Sequence, residues 1–186
     1  MLDLSIVIPA YNEAERIGKT LQLFNTYLSN TAWTYELIVV DDGSTDDTIM
    51  VVEKLKPQIQ NLSILPSAEN HGKGYVVRVG MLKAQGKFRL FSDADGSTPI
   101  EEIDKLLAPL LNKTADVSIG SRYLDHSNIS TPQPFLRRLW SRLANKVVQY
   151  ILLPGIVDPH CGFKVFTADA TTKIFSQCQI NEWSFD

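Results

Sequence analysis

Leu4-Ser5-Ile6-Val7-Ile8-Pro9 and Glu36-Leu37-Ile38-Val39-Val40-Asp41 are two short aliphatic runs whose composition reads as buried β-strand. Between them, Asn12 followed by Glu15 forms a helix-capping pattern, and Ile17, Leu21, Phe24 and Leu28 then fall on one helical face. After the second run, Ser44 is read as a cap, and Thr48, Val51, Val52 and Leu55 recur at helical spacing. These are two βα units, and the pattern continues. Leu62 to Leu65 is a third strand, Lys73 to Ala84 a helix, Phe88 to Ser92 a fourth strand and Asp116 to Ile119 a fifth. Thr98-Pro99-Ile100-Glu101 is a helix start that turns Ile100, Ile103, Leu106 and Leu107 inward, and Pro109 is expected to end or kink that helix. Strands alternating with helices in this way predict an α/β fold with a mostly parallel sheet covered on both faces. After Tyr123 the rhythm breaks in a polar, proline-containing loop over 125–134, and a long helical pattern runs from Phe135 to about Leu153.

The chain has 186 residues, 44% hydrophobic and 21% charged, the balance of an ordinary globular domain with a core of its own. Eighteen basic against twenty-one acidic residues give a net charge of −3, which argues against a general electrostatic grip on nucleic acid. Cys161 and Cys178 are the only cysteines and form no Cys-x-x-Cys pair, so neither a zinc ribbon nor a disulfide framework is expected and a reducing compartment fits. The longest apolar stretches fall far short of the roughly 20 residues that span a bilayer.

In an open parallel sheet, ligands bind beyond the carboxyl ends of the strands. The polar clusters of this sequence fall there: Pro9-Ala10-Tyr11-Asn12-Glu13, Asp41-Asp42-Gly43-Ser44, Asn70-His71-Gly72-Lys73-Gly74 and Asp93-Ala94-Asp95-Gly96. Asp41 to Ser44 serves equally as a turn and helix cap or as part of a site. Asp93 and Asp95 are two carboxylates one residue apart at the end of a buried strand, and they repel unless a cation lies between them. Oxygen ligands of this kind suit Mg²⁺ or Mn²⁺ bridging to a substrate diphosphate. Gly72-Lys73-Gly74 permits close backbone approach and puts an ammonium at a helix start, both suited to a phosphate-bearing ligand. Neither Gly-x-x-x-x-Gly-Lys-Ser/Thr nor Gly-x-Gly-x-x-Gly occurs, so a P-loop nucleotidase and a nicotinamide dehydrogenase are unsupported.

With Val7 to Glu13, Val39 to Ser44, Gly72 to Gly74, Asp93 to Gly96, Gly120-Ser121-Arg122 and Cys161-Gly162-Phe163-Lys164 in that order, the chain resembles family 2 glycosyltransferases of the GT-A fold. Within them it looks like the polyprenyl- or dolichyl-phosphate sugar synthases. The resemblance implies a single GT-A domain over 1–186, with a donor half to about 122 and an acceptor half over 123–186 that is C-terminally incomplete. It implies that Pro9, Tyr11, Glu13 and Asp42 line the nucleotide pocket, that Lys73 lies near the donor, and that Asp93 and Asp95 hold a divalent metal against the donor diphosphate, Asp95 acting in catalysis. Asp93-Ala94-Asp95-Gly96-Ser97-Thr98 looks more like the dolichyl-phosphate glucosyltransferases than their mannosyl relatives. UDP-glucose is therefore the leading donor and GDP-mannose the second.

The pattern after the loop places Arg137, Arg138, Ser141, Arg142 and Asn145 on one arc and Phe135, Leu139, Leu143 and Val147 on the opposite one, a basic amphipathic helix. Such a face is either solvated or suited to an anionic membrane surface. The resemblance assigns Arg122, Arg137 and Ser141 to the phosphate of the lipid acceptor. A phosphate monoester is largely deprotonated at pH 7, so the acceptor needs no strong base, and His71, His126 and His160 are read as local hydrogen-bonding residues. Asp158 is the expected carboxylate near the acceptor. The reading is an inverting hexosyltransferase, cytoplasmic and peripheral on the cytosolic face of a membrane. Its rivals are a mannosyl synthase, a family 2 transferase with a soluble acceptor, and a nucleotide-sugar-binding module without turnover.

Overall fold

A computed structural model describes residues 2–121, 158 and 160–182. The described residues up to Ser118 and from Gly162 onward form one compact unit, and those between belong to a second. The first unit contains β1 (Leu4–Ala10), α1 (Ile17–Leu28), β2 (Tyr35–Asp41), α2 (Thr48–Leu55), β3 (Leu62–Pro66), α3 (Lys73–Lys83) and β4 (Phe88–Ser92). A 3₁₀ turn (Ile100–Glu102) leads into α4 (Ile103–Leu111), and β5 (Val117–Ile119) follows. The described chain closes with β6 (Phe163–Thr167) and α5 (Ala168–Phe175).

The strands form one six-stranded sheet in the order β3-β2-β1-β4-β6-β5. β1 pairs in parallel with both β2 and β4, and β2 with β3, whereas β6 runs antiparallel to β4 with Phe88 opposite Thr167 and Ser92 opposite Phe163. Every residue of β1 is buried, as is Leu37 to Asp41 of β2, because helices cover both faces of the central strands. Helix α3 lies close against this sheet at Gly80, where a Cβ would meet the side chains of Val7 and Val40. Val76, Val77 and Met81 complete that layer with Phe91, Phe166 and Phe175. Ile17, Leu21, Phe24 and Leu28 of α1 are buried, as are Ile100, Ile103, Leu106 and Leu107, as their spacing predicts, and Leu110 of α4 joins them.

Four local expectations are corrected. Asn12 does not cap a helix: its backbone is left-handed at φ 54°, its Oδ1 accepts from the Thr45 amide at 2.9 Å, and α1 begins only at Ile17. Ser44 does not cap α2, which starts at Thr48; its Oγ accepts from the Asn12 amide at 2.9 Å. In both cases a bond between loops displaces the local cap. Pro109 does not end α4, which continues to Leu111; the burial of Leu106, Leu107 and Leu110 outweighs the lost amide donor, and the Pro109 carbonyl accepts from Thr114 and Ala115 beyond the helix. The sheet also has a strand more than the alternation showed, because β6 enters it antiparallel after a long excursion.

Candidate functional site

The strand ends of the first unit are tied to one another in sequence around the sheet. The loop after β1 is stitched to the loop after β2: besides the Asn12 bonds, the Glu13 amide donates to Thr48 Oγ1 at 2.8 Å and the Ala14 amide to Asp46 Oδ2 at 3.1 Å. Burial works against ionisation of Asp46, but hydrogen bonds from Thr48 and Ala14 hold its carboxyl below the usual range. The end of β2 is tied in turn to the segment before α3. Asp42, 3% exposed, accepts from the His71 amide with Oδ1 at 2.8 Å and from the Gly72 amide with Oδ2 at 3.0 Å. Its neighbour Asp41 is fully buried and closes the turn by accepting from the Gly43 and Ser44 amides with Oδ2.

Gly72 has φ 95°, a conformation that side-chain-bearing residues rarely adopt, and a Cβ there would lie 2.5 Å from the Asn181 carbonyl. That turn delivers Lys73 to the first position of α3, where its Nζ reaches Asp93 Oδ1 at 2.6 Å and stands 5.4 Å from the centre of the Phe91 ring. Asp95 spends Oδ1 on the Ser97 amide at 2.9 Å, which holds the turn after β4. Thr20 Oγ1 donates to the Ala94 carbonyl at 2.8 Å and anchors the same turn to α1.

A half-open cleft of about 380 Å³ is lined by Pro9, Tyr11, Glu13, Asp42, Lys73, Asp93 and Asp95. All seven donor-side residues singled out in the sequence therefore meet in one place. Arg16, Asn70, Gly72, Val76, Ala94 and Glu182 line it as well. Arg16 was missed because it lies in the first turn after the motif; its guanidinium grips both oxygens of Glu13, at 2.7 and 2.8 Å. Glu182 comes from the far end of the described chain, where no periodicity pointed to the cleft. It is brought there by the segment after α5, since the Tyr75 amide donates to the Asn181 carbonyl at 3.2 Å and Arg78 donates to the Cys178 carbonyl and to Asn181 Oδ1. Asp158 is 1% exposed and lies in the second unit, where its carbonyl accepts from the Cys161 amide at 3.2 Å. Arg122, Arg137, Ser141 and the helix expected from Phe135 to about Leu153 lie outside the described residues.

The model of a known family, glycosyl transferase family 2, matches residues 5–175. The chain belongs to that family. Similar family relatives are the dolichyl-phosphate beta-glucosyltransferases of Drosophila melanogaster, 36% identical over 100% of this chain, and of Homo sapiens, 34% identical over 98%. The enzyme of that name from Saccharomyces cerevisiae is 32% identical over 98% of the chain. The chain spans about 60% of the length of each of these relatives. Among solved structures, glucosyl-3-phosphoglycerate synthase from Mycobacterium tuberculosis aligns over 90% of this chain and 57% of its own, with a TM-score of 0.65 at 20% identity. Mannosyl-3-phosphoglycerate synthase from Rubrobacter xylanophilus aligns over 94% and 60%, with a TM-score of 0.67 at 18% identity. The fold is thus the GT-A arrangement of family 2.

Proposed function

We propose that the protein transfers glucose from UDP-glucose to dolichyl phosphate or a related polyprenyl phosphate, with inversion at the anomeric carbon. The single observation that carries this reading is the cleft in which the end of β1, the turn after β2, the start of α3 and the Asp93–Asp95 turn converge. The names of the relatives supply the sugar and the acceptor.

Pro9, Tyr11, Glu13 and Asp42 border the nucleotide in this reading, with Asp42 acting through the amide-bonded turn as well as by contact. Lys73 faces the diphosphate. Asp93 and Asp95 fit a divalent cation: both offer carboxylate oxygens to the same cleft, and no cluster of three or more His, Cys, Asp or Glu stands close enough to hold a metal alone among the described residues. Asp93 and Asp95 would hold such a cation, and carboxylate oxygens of this kind suit Mg²⁺ or Mn²⁺. The bound metal supplies neutralisation of the charge that develops on the departing diphosphate.

The acceptor phosphate already carries a nucleophilic oxygen at neutral pH, so the chain's task is to orient it. Arg122, Arg137 and Ser141 are proposed to grip that phosphate, and Asp158 to stand beside the acceptor. In this reading the protein works peripherally on a membrane, at its cytosolic face. No helix among the described residues is long and apolar enough to cross one.

The test incubates the full-length protein with radiolabelled UDP-glucose or GDP-mannose and a short polyprenyl phosphate, followed by organic extraction. Label carried into the lipid phase from UDP-glucose is the expected result. Label from GDP-mannose alone moves the protein to the mannosyl branch, and no lipid label with either donor removes the acceptor assignment.

A further inference from the structure

The Cys161-Gly162-Phe163-Lys164 motif finds no role in the cleft as described above, since none of its four residues lines it. Gly162 nevertheless lies directly beside the site. The antiparallel register that sets Ser92 opposite Phe163 sets Asp93 opposite Gly162, and the Asp93 amide donates to the Gly162 carbonyl at 3.0 Å. A Cβ on Gly162 would lie 2.7 Å from Asp93 Oδ1 and still closer to its Cγ and Oδ2. No backbone reason requires glycine here. Among the described residues the glycines with positive φ are Gly43, Gly72 and Gly96, so the conformation at 162 is open to any residue. Position 162 excludes a side chain because the Asp93 carboxylate occupies that space.

We infer that Gly162 is a positioning residue for the donor site: its missing side chain is the seat in which the Asp93 carboxylate lies over β6, turned to meet Lys73. The inference rests on the proposed role of Asp93 in holding a metal-bound donor. Two linked facts support it. The carboxylate is held by Lys73 Nζ at 2.6 Å, and it fills the space that a Cβ on Gly162 would need. An alanine there would push the carboxylate off this seat, break its pairing geometry and misplace an oxygen donor that a divalent cation needs within a few tenths of an ångström. Groups that orient a metal ligand matter nearly as much as the ligand.

The test is a double-mutant cycle of Gly162→Ala and Asp93→Ala in the full-length protein, read by calorimetric titration with UDP in Mn²⁺ and in EDTA and by thermal unfolding. Gly162→Ala is expected to lose about tenfold or more of the Mn²⁺-supported affinity while leaving the affinity in EDTA unchanged. Added to Asp93→Ala, it is expected to change neither affinity nor melting temperature. Undiminished Mn²⁺-supported binding in Gly162→Ala, or an equal loss with Asp93 already removed, overturns the inference. If the wild-type protein shows no Mn²⁺ dependence, the donor-site reading fails on its own, and the thermal arm still decides the role of Gly162. A destabilisation by Gly162→Ala that vanishes in the Asp93→Ala background supports the seat, even where the single variant does not fold. A destabilisation that persists there overturns it.

Discussion

The two sides of β4 are built by different rules. On one side, β1, β2 and β3 are parallel, successive strands being joined through helices, and their carboxyl ends are tied by bonds between neighbouring loops. On the other, β6 arrives antiparallel, so its amino end, Gly162 and Phe163, lies beside the carboxyl end of β4. The parallel side and the end of β4 supply the donor-side groups that line the cleft, and the antiparallel side supplies the space in which one of them sits. A site at a switch of strand direction thus needs both a functional side chain and a neighbour that leaves room for it.

The contrast breaks most visibly at Asp95. Asp95→Ala removes a carboxylate whose partner oxygen holds only the Ser97 amide, so turnover should fall roughly hundredfold or more while the melting temperature hardly moves. Steady-state kinetics and thermal unfolding on the same preparation check this. Arg137→Ala should leave UDP-sugar binding intact and lower the catalytic efficiency for the lipid phosphate about ten- to hundredfold, matching the loss of a charge-assisted contact worth about 1.5–3 kcal/mol. Varying each substrate in turn separates the two, and a loss of donor affinity instead would assign Arg137 to donor binding. Arg137→Lys should recover only part, since an ammonium lacks the planar fork of the guanidinium.

Asp42 sharpens the parallel side, because its buried carboxylate satisfies two backbone amides. Asp42→Ala should cost about 1–3 kcal/mol in urea unfolding, and Asp42→Asn much of the same, because its amide nitrogen faces a donor where the carboxylate offered an acceptor. The smallest effect lies away from the cleft. Asp3 is hydrogen-bonded to Lys87 and Thr34, and its carboxyl is lowered to about 2 from 3.8. A depressed carboxyl stabilises above its unfolded pKa and loses that contribution as pH falls through the folded one. Asp3→Asn should therefore lower the melting temperature slightly at neutral pH, with the gap to wild type closing between about pH 4 and pH 2.

What the sequence made legible follows the same division. The βα units declare themselves through local periodicity, and the strand-end rule then gathers Pro9, Tyr11, Glu13, Asp42, Lys73, Asp93 and Asp95 into one cleft without coordinates. The Cys161 to Lys164 motif overlaps β6 (Phe163–Thr167), but a strand that returns from a distant segment carries no helix rhythm to announce it. Glu182, which depends on the bonds of Arg78 and Asn181, is hidden for a related reason: side-chain bonds between distant elements leave no spacing to read, whereas Arg16 sits just past the motif and grips Glu13 locally. Asn12 and Ser44 show the opposite error, since each has the right residue type for a helix cap and is used instead to join two loops.

The central claim is that Asp93 and Asp95 make this cleft a metal-dependent nucleotide-sugar site. Calorimetric titration with UDP-glucose, in Mn²⁺ and in EDTA, for the wild-type protein and for Asp95→Ala tests it most directly. The account predicts that the wild-type protein binds at least about tenfold more tightly with Mn²⁺ than with EDTA, and that Asp95→Ala abolishes the difference. Equal wild-type affinity in the two conditions, or an undiminished Mn²⁺ effect in Asp95→Ala, would contradict it.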